Sequence, residues 1–161
     1  MNPRPLMLAL LLAAGSAQAA STPARELVDD ARAAMRSDPG RSRALAEQAL
    51  AELARHPDVD LEVAAHWVLC DYHTERDREA AQRHLAAGRA LLPRATRPAL
   101  AAQLLGCEGD LAELAGESAQ AIALYERSVA AARAAHDDEV LANALFQRGY
   151  LRGVRGELSS G

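Results

Sequence analysis

The chain has 161 residues, among them 38 Ala, 24 Leu and 18 Arg, with no Lys and a formal net charge of -4. Its strand-forming residues are few: five aromatic side chains, one Ile, seven Val and three Thr. That is too little material for a sandwich, a barrel or a doubly wound sheet. Because Ala, Leu, Arg, Glu and Gln favour helices, the composition predicts one all-α domain and excludes all-β and α/β enzyme folds.

Residues 1–19 have the pattern of a secretory signal peptide. Arg4 supplies a positive start, Leu6 to Ala14 an apolar run of nine residues, and Ala17 and Ala19 a small-x-small cleavage site. The run is shorter than the roughly 20 residues of a membrane helix, so the mature chain is expected to have no membrane span. Cleavage would remove Arg4 and change the charge from -4 to -5, which argues against a nucleic-acid partner. The prediction is a periplasmic or secreted protein. The Lys-free, Ala- and Arg-rich composition suits a GC-rich bacterial genome, which favours the periplasm of a Gram-negative bacterium.

Helix-breaking and helix-capping residues divide the rest of the chain. Thr22-Pro23 and Asp38-Pro39 are typical of helix starts, Pro57 and Pro93 of helix ends, and Gly116 of a C-terminal cap. The predicted helices are approximately 23–36, 39–56, 58–74, 77–92, 98–116, 118–135 and 138–156.

The same chain contains an internal repeat. The stretch from Gly109 to Glu117 aligns with that from Gly149 to Glu157 at an offset of 40 residues, with both glycine spacings retained. An earlier copy aligns Ala121 and Tyr125 with Ala81 and Leu85. A fixed period of this length favours stacked αα-hairpins. A closed helical bundle is the alternative architecture.

These residues resemble the tetratricopeptide repeats, whose second helix carries a small residue and an aromatic residue four apart, followed by a proline. Ala81, Leu85 and Pro93 have this spacing, as do Ala121 and Tyr125. The resemblance implies an αα-hairpin superhelix of about three and a half repeats, at 22–57, 58–95, 96–136 and an incomplete 137–161. Because Gly156 to Gly161 only begins another helix, the array is expected to be truncated at its C-terminus.

The resemblance also implies a concave groove lined by the first helix of each repeat. The partner would be a protein or peptide, and the two acidic groove residues would favour a basic segment; an ordinary solvated surface without a ligand is the alternative. The expected groove residues are Val63, His66, Cys70, His73, Gln103, Asp110, Glu113, Asn143, Phe146 and Tyr150.

Two clusters raise further possibilities. His66, Cys70 and His73 share one helix face with Asp77 nearby, a spacing that suits Zn(II) or Cu(I), but groove lining is favoured and no metal or cofactor is predicted. Cys70 and Cys107 are a possible disulfide in an oxidising compartment; the alternative is two small buried side chains.

No arrangement of nucleophile, base and orienting residue has a supporting motif, so the protein is not expected to be an enzyme. The leading hypothesis is an exported repeat module that binds a protein or peptide. The alternative rests on the stretch from Gly149 to Gly156, which resembles the periplasmic sensory region of membrane-bound diguanylate cyclases, whose catalytic domain is absent from this sequence.

Two expectations concern contacts of the last helix. Its outer side lacks a helical neighbour, so we expect it to bind a C-terminal continuation or a second copy of the chain. Glu108 and Arg148 align in adjacent repeats at a position that the family usually makes apolar, and we expect them to form an ion pair.

Overall fold

The computed structural model describes residues 22–154 and Gly156, and this part of the chain folds into seven α-helices joined by short connections. The predicted signal peptide at 1–19 and the start of a further helix at 157–161 lie outside the described residues. The helices are α1 Pro23–Ala34, α2 Pro39–Leu53, α3 Val59–Thr74, α4 Arg78–Leu91, α5 Ala99–Leu114, α6 Ser118–Ala135 and α7 Asp138–Val154.

Capping residues determine where several of these helices begin. The hydroxyl of Thr22 and the carboxylates of Asp38, Asp58 and Asp77 each accept a hydrogen bond from the backbone N–H three residues later, at 3.0 to 3.3 Å. These bonds satisfy N–H groups that have no partner within the helix. The predicted starts of α1 to α4 are therefore explained by local chemistry.

Glycine ends α5. Gly116 has a φ of 78°, its N–H donates to the carbonyl of Glu113 at 2.9 Å, and the N–H of Glu117 donates to the carbonyl of Ala112 at 2.9 Å. This pair of bonds is a Schellman motif, which needs a residue in the left-handed region. Gly156, its equivalent in the repeat, also has a positive φ of 71°.

The helices pack as antiparallel hairpins in chain order. The most extensive contacts join α1 to α2, α3 to α4, and α5 to α6, while α7 packs on α6 and α5. The odd-numbered helices also contact one another in sequence, α1 with α3, α3 with α5, and α5 with α7. The all-α prediction is confirmed, and this order is consistent with a helical repeat. No helix within 22–154 is both long and apolar enough to cross a membrane.

Small side chains and one covalent bond hold the odd-numbered helices together. Ala31, Ala65 and Ala102 are fully buried, which lets helix backbones approach closely. Cys70 on α3 and Cys107 on α5 form a disulfide with a Cα–Cα distance of 6.4 Å, and both residues are buried. The bond therefore joins neighbouring hairpins through the core.

The first and last of the described helices also touch. The Arg32 guanidinium lies 3.7 Å from the Glu139 carboxylate, and the Arg36 guanidinium donates a hydrogen bond to the side-chain oxygen of Asn143 at 3.2 Å. Both contacts join α1 to α7. The layer of odd-numbered helices therefore curves until its two ends meet through polar side chains.

The prediction of an ion pair between Glu108 and Arg148 is wrong. Glu108 instead accepts a hydrogen bond from the guanidinium of Arg89 at 2.9 Å. Arg89 lies on α4, which packs against α5 and brings the guanidinium to the side of Glu108. Alignment of two repeats placed Glu108 and Arg148 at equivalent positions, but contact between them depends on how neighbouring hairpins rotate.

Candidate functional site

A cavity of about 430 Å³ opens between the odd-numbered helices near the C-terminal ends of α3 and α5. Its volume falls in the range of ligand-binding cavities. The lining comes from the end of α1, the start of α2, the last turns of α3 and α5, and parts of α6 and α7. The lining residues are Met35, Pro39, Ser42, Val68, Asp71, Tyr72, Thr74, Glu75, Arg76, Asp110, Glu113, Leu114, Tyr125, Phe146, Gln147 and Tyr150.

Helical spacing explains why α3, α5 and α7 each contribute several side chains. Residues three or four apart lie on the same face of an α-helix. The end of α3 presents Val68, Asp71, Tyr72 and Glu75 in this spacing, α5 presents Asp110, Glu113 and Leu114, and α7 presents Phe146 and Tyr150.

A hydrogen-bond network centred on Asp110 joins three helices at the cavity wall. The hydroxyl of Tyr125 on α6 lies 2.7 Å from Asp110 Oδ1 and 2.9 Å from Glu113 Oε2, so one phenolic proton is shared between two carboxylates. The side-chain amide of Gln147 on α7 donates to Asp110 Oδ1 at 2.9 Å and to Oδ2 at 3.0 Å. The oxygen of that amide, Gln147 Oε1, is buried and has no hydrogen-bond partner among the described residues.

The surroundings of Asp110 favour its neutral form. Burial raises the pKa of Asp110 to about 7, and the charges of Asp71 and Glu113 act in the same direction, against the hydrogen bonds from Tyr125 and Gln147. Burial and the charge of Asp110 also raise the pKa of Tyr125 above its usual range, so the phenol stays protonated and remains a donor.

Asp71 faces the same cavity from α3. It keeps contact with solvent, but the concave walls desolvate its carboxyl group and raise its pKa above the ordinary value, an effect that the charges of Arg76 and Arg36 oppose. Within residues 22–154, the Asp71 side chain accepts no hydrogen bond and forms no salt bridge. Its carboxylate oxygens are therefore open to a donor from outside.

The charge of the cavity is negative overall. Asp71, Glu75, Asp110 and Glu113 line it, and Arg76 is the one cation among the lining residues that the structure describes, although the charge of Arg36 also acts on Asp71. The Arg76 guanidinium is already engaged, because it donates to the backbone carbonyl of Tyr72 at 2.7 Å and lies 4.4 Å from the centre of the Tyr72 ring.

Exposed apolar side chains stand beside this acidic wall. Phe146 and Tyr150 are 68% and 58% exposed, and their stacked rings have centroids 6.3 Å apart. Leu114 from α5 is 57% exposed and lines the same cavity. Large apolar side chains gathered at a cavity are typical of binding surfaces.

The sequence-predicted groove residues divide between cavity, helix contact and core. Asp110, Glu113, Phe146 and Tyr150 line the cavity, whereas Asn143 is in the contact between α7 and α1. Three others face the interior, at exposed fractions of 0%, 0% and 7%: Val63, Cys70 and Gln103. Val63 and Cys70 are therefore core residues rather than groove residues, because these positions of α3 point towards neighbouring helices.

His66 and His73 are part of a separate histidine cluster and do not line the cavity. The Nδ1 atoms of His66 and His84 are 3.1 Å apart, and the rings of His73 and His84 stack with centroids 5.7 Å apart. Burial, followed by the charge of His84, lowers the pKa of His66 to about 4. Burial and the charges of His73 and Arg83 lower the pKa of His84.

The metal site that His66, Cys70 and His73 suggested is not formed by these residues. The Sγ atom of Cys70 is bonded to Cys107, which removes the thiolate from any ligand set. Among the residues described here, no group of three or more His, Cys, Asp or Glu side chains has an arrangement suited to a metal ion.

Sequence reasoning missed several cavity residues, above all Asp71, Tyr125 and Gln147. Asp71 directly follows Cys70, which was expected in the groove but lies in the core, whereas Gln147 lines the cavity together with its neighbour Phe146. One step along a helix rotates the side chain by about 100°, so a small error in register moves a residue from the cavity to the core. Tyr125 was assigned to the repeat signature, and nothing in its spacing indicated that its hydroxyl reaches two carboxylates.

Comparison of the chain with models of known protein families, with curated proteins and with solved structures gives no match. The chemistry of the cavity is therefore the basis on which function is inferred.

Proposed function

We propose that this protein is an exported, tetratricopeptide-like module that binds a protein or peptide in the cavity between its odd-numbered helices, without catalysing a reaction. The observation that carries the proposal is the exposed aromatic pair Phe146 and Tyr150, placed at a cavity of about 430 Å³ with an acidic wall. In tetratricopeptide arrays, which this chain resembles in its repeat pattern, the first helices of the hairpins face the partner.

The mixture of side chains suits a peptide. Aromatic residues are enriched where protein surfaces bind one another, and they contribute large contact areas with few rotatable bonds. Phe146, Tyr150 and Leu114 supply apolar area, while Asp71 and Asp110 supply acceptors next to it. An extended peptide segment can bury its apolar side chains against the aromatic and leucine side chains and place its hydrogen-bond donors on the two aspartates.

Two observations support a compartment outside the cytoplasm. The pattern of residues 1–19 is that of a signal peptide, and the disulfide between Cys70 and Cys107 is compatible with an oxidising environment. The periplasm remains our proposal for the site of action.

Selection of displayed random peptides on the purified chain tests the proposal. We expect selected peptides to bind the wild-type protein and to lose at least about tenfold in affinity with the double variant F146A/Y150A. V154A is the matched control, since Val154 is a 68% exposed residue of the same helix that does not line the cavity. Failure to select any peptide, or equal affinity for wild type and F146A/Y150A, would contradict the proposal.

A further inference from the structure

We propose that the cavity recognises a basic side chain of the bound peptide, a lysine or arginine whose cationic group is held by Asp71 and Asp110 and whose aliphatic stem lies against Phe146 and Tyr150. This inference rests on the proposed function and specifies the chemistry of the partner. The occupant is a side chain of a peptide rather than a free amine, and the test below distinguishes the two.

Charge complementarity is the first argument. The four lining carboxylates, Asp71, Glu75, Asp110 and Glu113, form no salt bridge with any residue in the described ranges, whereas ion pairs elsewhere do neutralise helix-surface carboxylates such as Glu47 and Glu108. These carboxyl groups outnumber the lining cation Arg76, so the site attracts a further cation even with Asp110 partly protonated near neutral pH, and the low-dielectric walls strengthen that attraction.

Open hydrogen-bond acceptors are the second argument. Asp71 accepts no hydrogen bond from residues 22–154, and Asp110 Oδ2 accepts only from Gln147 although a carboxylate oxygen has two lone pairs. An ammonium group brings three donors and a guanidinium five, with no acceptors that would compete.

The aromatic residues supply the third argument. Tyr72 already carries two guanidinium groups, with Arg76 at 4.4 Å and Arg43 at 5.7 Å from its ring centre. Phe146 and Tyr150 carry no such cation among the described residues and remain exposed. Their ring faces can therefore hold the stem and the charge of an incoming basic side chain.

The burial of Asp110 adds a consequence for protons. With a pKa of about 7, Asp110 is partly protonated near neutral pH, and a cation at the site favours the ionised form. The groups that face it are Asp71 from α3, Glu113 from α5, Tyr125 from α6 and Gln147 from α7. Binding of a basic side chain is therefore expected to release protons, which calorimetry in buffers of different ionisation enthalpy measures.

The experiment uses the peptides selected on the wild-type protein. Each peptide is made in four versions that differ at one position, which is Lys, Arg, norleucine or Glu. We expect the Lys and Arg peptides to bind at least about tenfold more tightly than their norleucine and Glu counterparts. D71N should weaken binding of the Lys and Arg peptides more than binding of the norleucine peptides, and so remove most of this preference. E79Q is the control, since Glu79 is an exposed α4 residue away from the cavity, and it should alter neither value.

Each alternative outcome has a distinct meaning. Equal affinity for Lys and norleucine peptides overturns this inference and leaves peptide binding intact. An absence of binding by every peptide set contradicts the proposed function itself. Competition by n-butylamine or arginine methyl ester at the concentration of the Lys peptide overturns the assignment to a peptide side chain and identifies a site for free amines. An unchanged Lys preference in D71N, with native circular dichroism, rejects the role of Asp71.

Discussion

Gly109 on α5 lies against the ring of Tyr125 on α6 so closely that a Cβ atom at Gly109 would be 2.4 Å from Tyr125 Cε1 and 2.6 Å from Cδ1. Real Cβ atoms do not approach a ring to this distance. The missing side chain allows the buried Tyr125 to cross α5 and extend its hydroxyl to Asp110 and Glu113. One glycine thus determines both the packing of the α5–α6 hairpin and the position of a donor at the cavity wall.

Substitution of Gly109 by Ala is therefore expected to destabilise the fold. The Tyr125 ring is fully buried and cannot move without disturbing its neighbours, so we expect G109A to lower the free energy of unfolding by about 2 kcal/mol. Urea unfolding followed by circular dichroism measures this change.

Gly149, the equivalent glycine in the next repeat, is a matched control for G109A. A Cβ atom there would meet nothing within 4 Å. Because Ala favours the helical conformation over Gly, we expect G149A to raise the free energy of unfolding by about 0.5 to 1 kcal/mol. Equal effects of G109A and G149A would show that the close approach to Tyr125 does not limit stability.

The raised pKa of Asp110 predicts a loss of stability as the pH rises from about 4 to about 7. The carboxyl ionises near 3.8 in the unfolded chain but near 7 in the folded one, so the free energy of unfolding falls as pH rises between these values. D110N removes this penalty and should raise the free energy of unfolding at about pH 8 by about 1 kcal/mol or more. The gain should vanish at about pH 2, where the carboxyl group of the wild type is protonated in both the folded and the unfolded chain. A gain of the same size at both pH values would contradict the prediction.

The lowered pKa of His66 predicts that the free energy of unfolding falls as the pH is lowered, which is the opposite of the effect of Asp110. Its pKa is about 4 in the folded chain against the ordinary 6.5, so the unfolded chain takes up the proton first. The free energy of unfolding should therefore be highest above about pH 6.5 and fall as pH drops through 4. H66Q should flatten this fall, whereas H56Q, at an exposed position outside the histidine cluster, should not. Identical acid profiles of wild type and H66Q in urea unfolding would refute the prediction.

The disulfide should contribute much of the stability of the fold. Cys70 and Cys107 close a loop with a sequence separation of 37, for which the chain-entropy model gives about 4 kcal/mol. We expect C70A/C107A to lower the free energy of unfolding by about that amount. Dithiothreitol should weaken the wild type comparably and leave C70A/C107A unaffected. A wild type insensitive to the reductant under unfolding conditions would be evidence against the bond.

The positions of the helices could be predicted from sequence because their signals are local. Thr22-Pro23, Asp38-Pro39 and Asp58 satisfy N–H groups within one helical turn, and Gly116 adopts a backbone conformation that other residues resist. The scarcity of aromatic and β-branched residues excluded β-sheets, because no segment of the chain has enough of these residues to form a strand. Four of the 16 cavity-lining residues in the described part of the chain followed too, because Asp110, Glu113, Phe146 and Tyr150 share faces of helices whose limits were known.

Only the tertiary structure decided which side of each helix meets the cavity. Asp71 faces it while the preceding residue, Cys70, is bonded to Cys107 in the core, a difference of one residue and about 100° of rotation. Glu108 pairs with Arg89 rather than with Arg148 for the same reason. The rotation of each helix and the contact between α1 and α7 depend on many close approaches between helices, such as that of Gly109 to Tyr125. These approaches join residues of different helices, so no local sequence pattern predicts them.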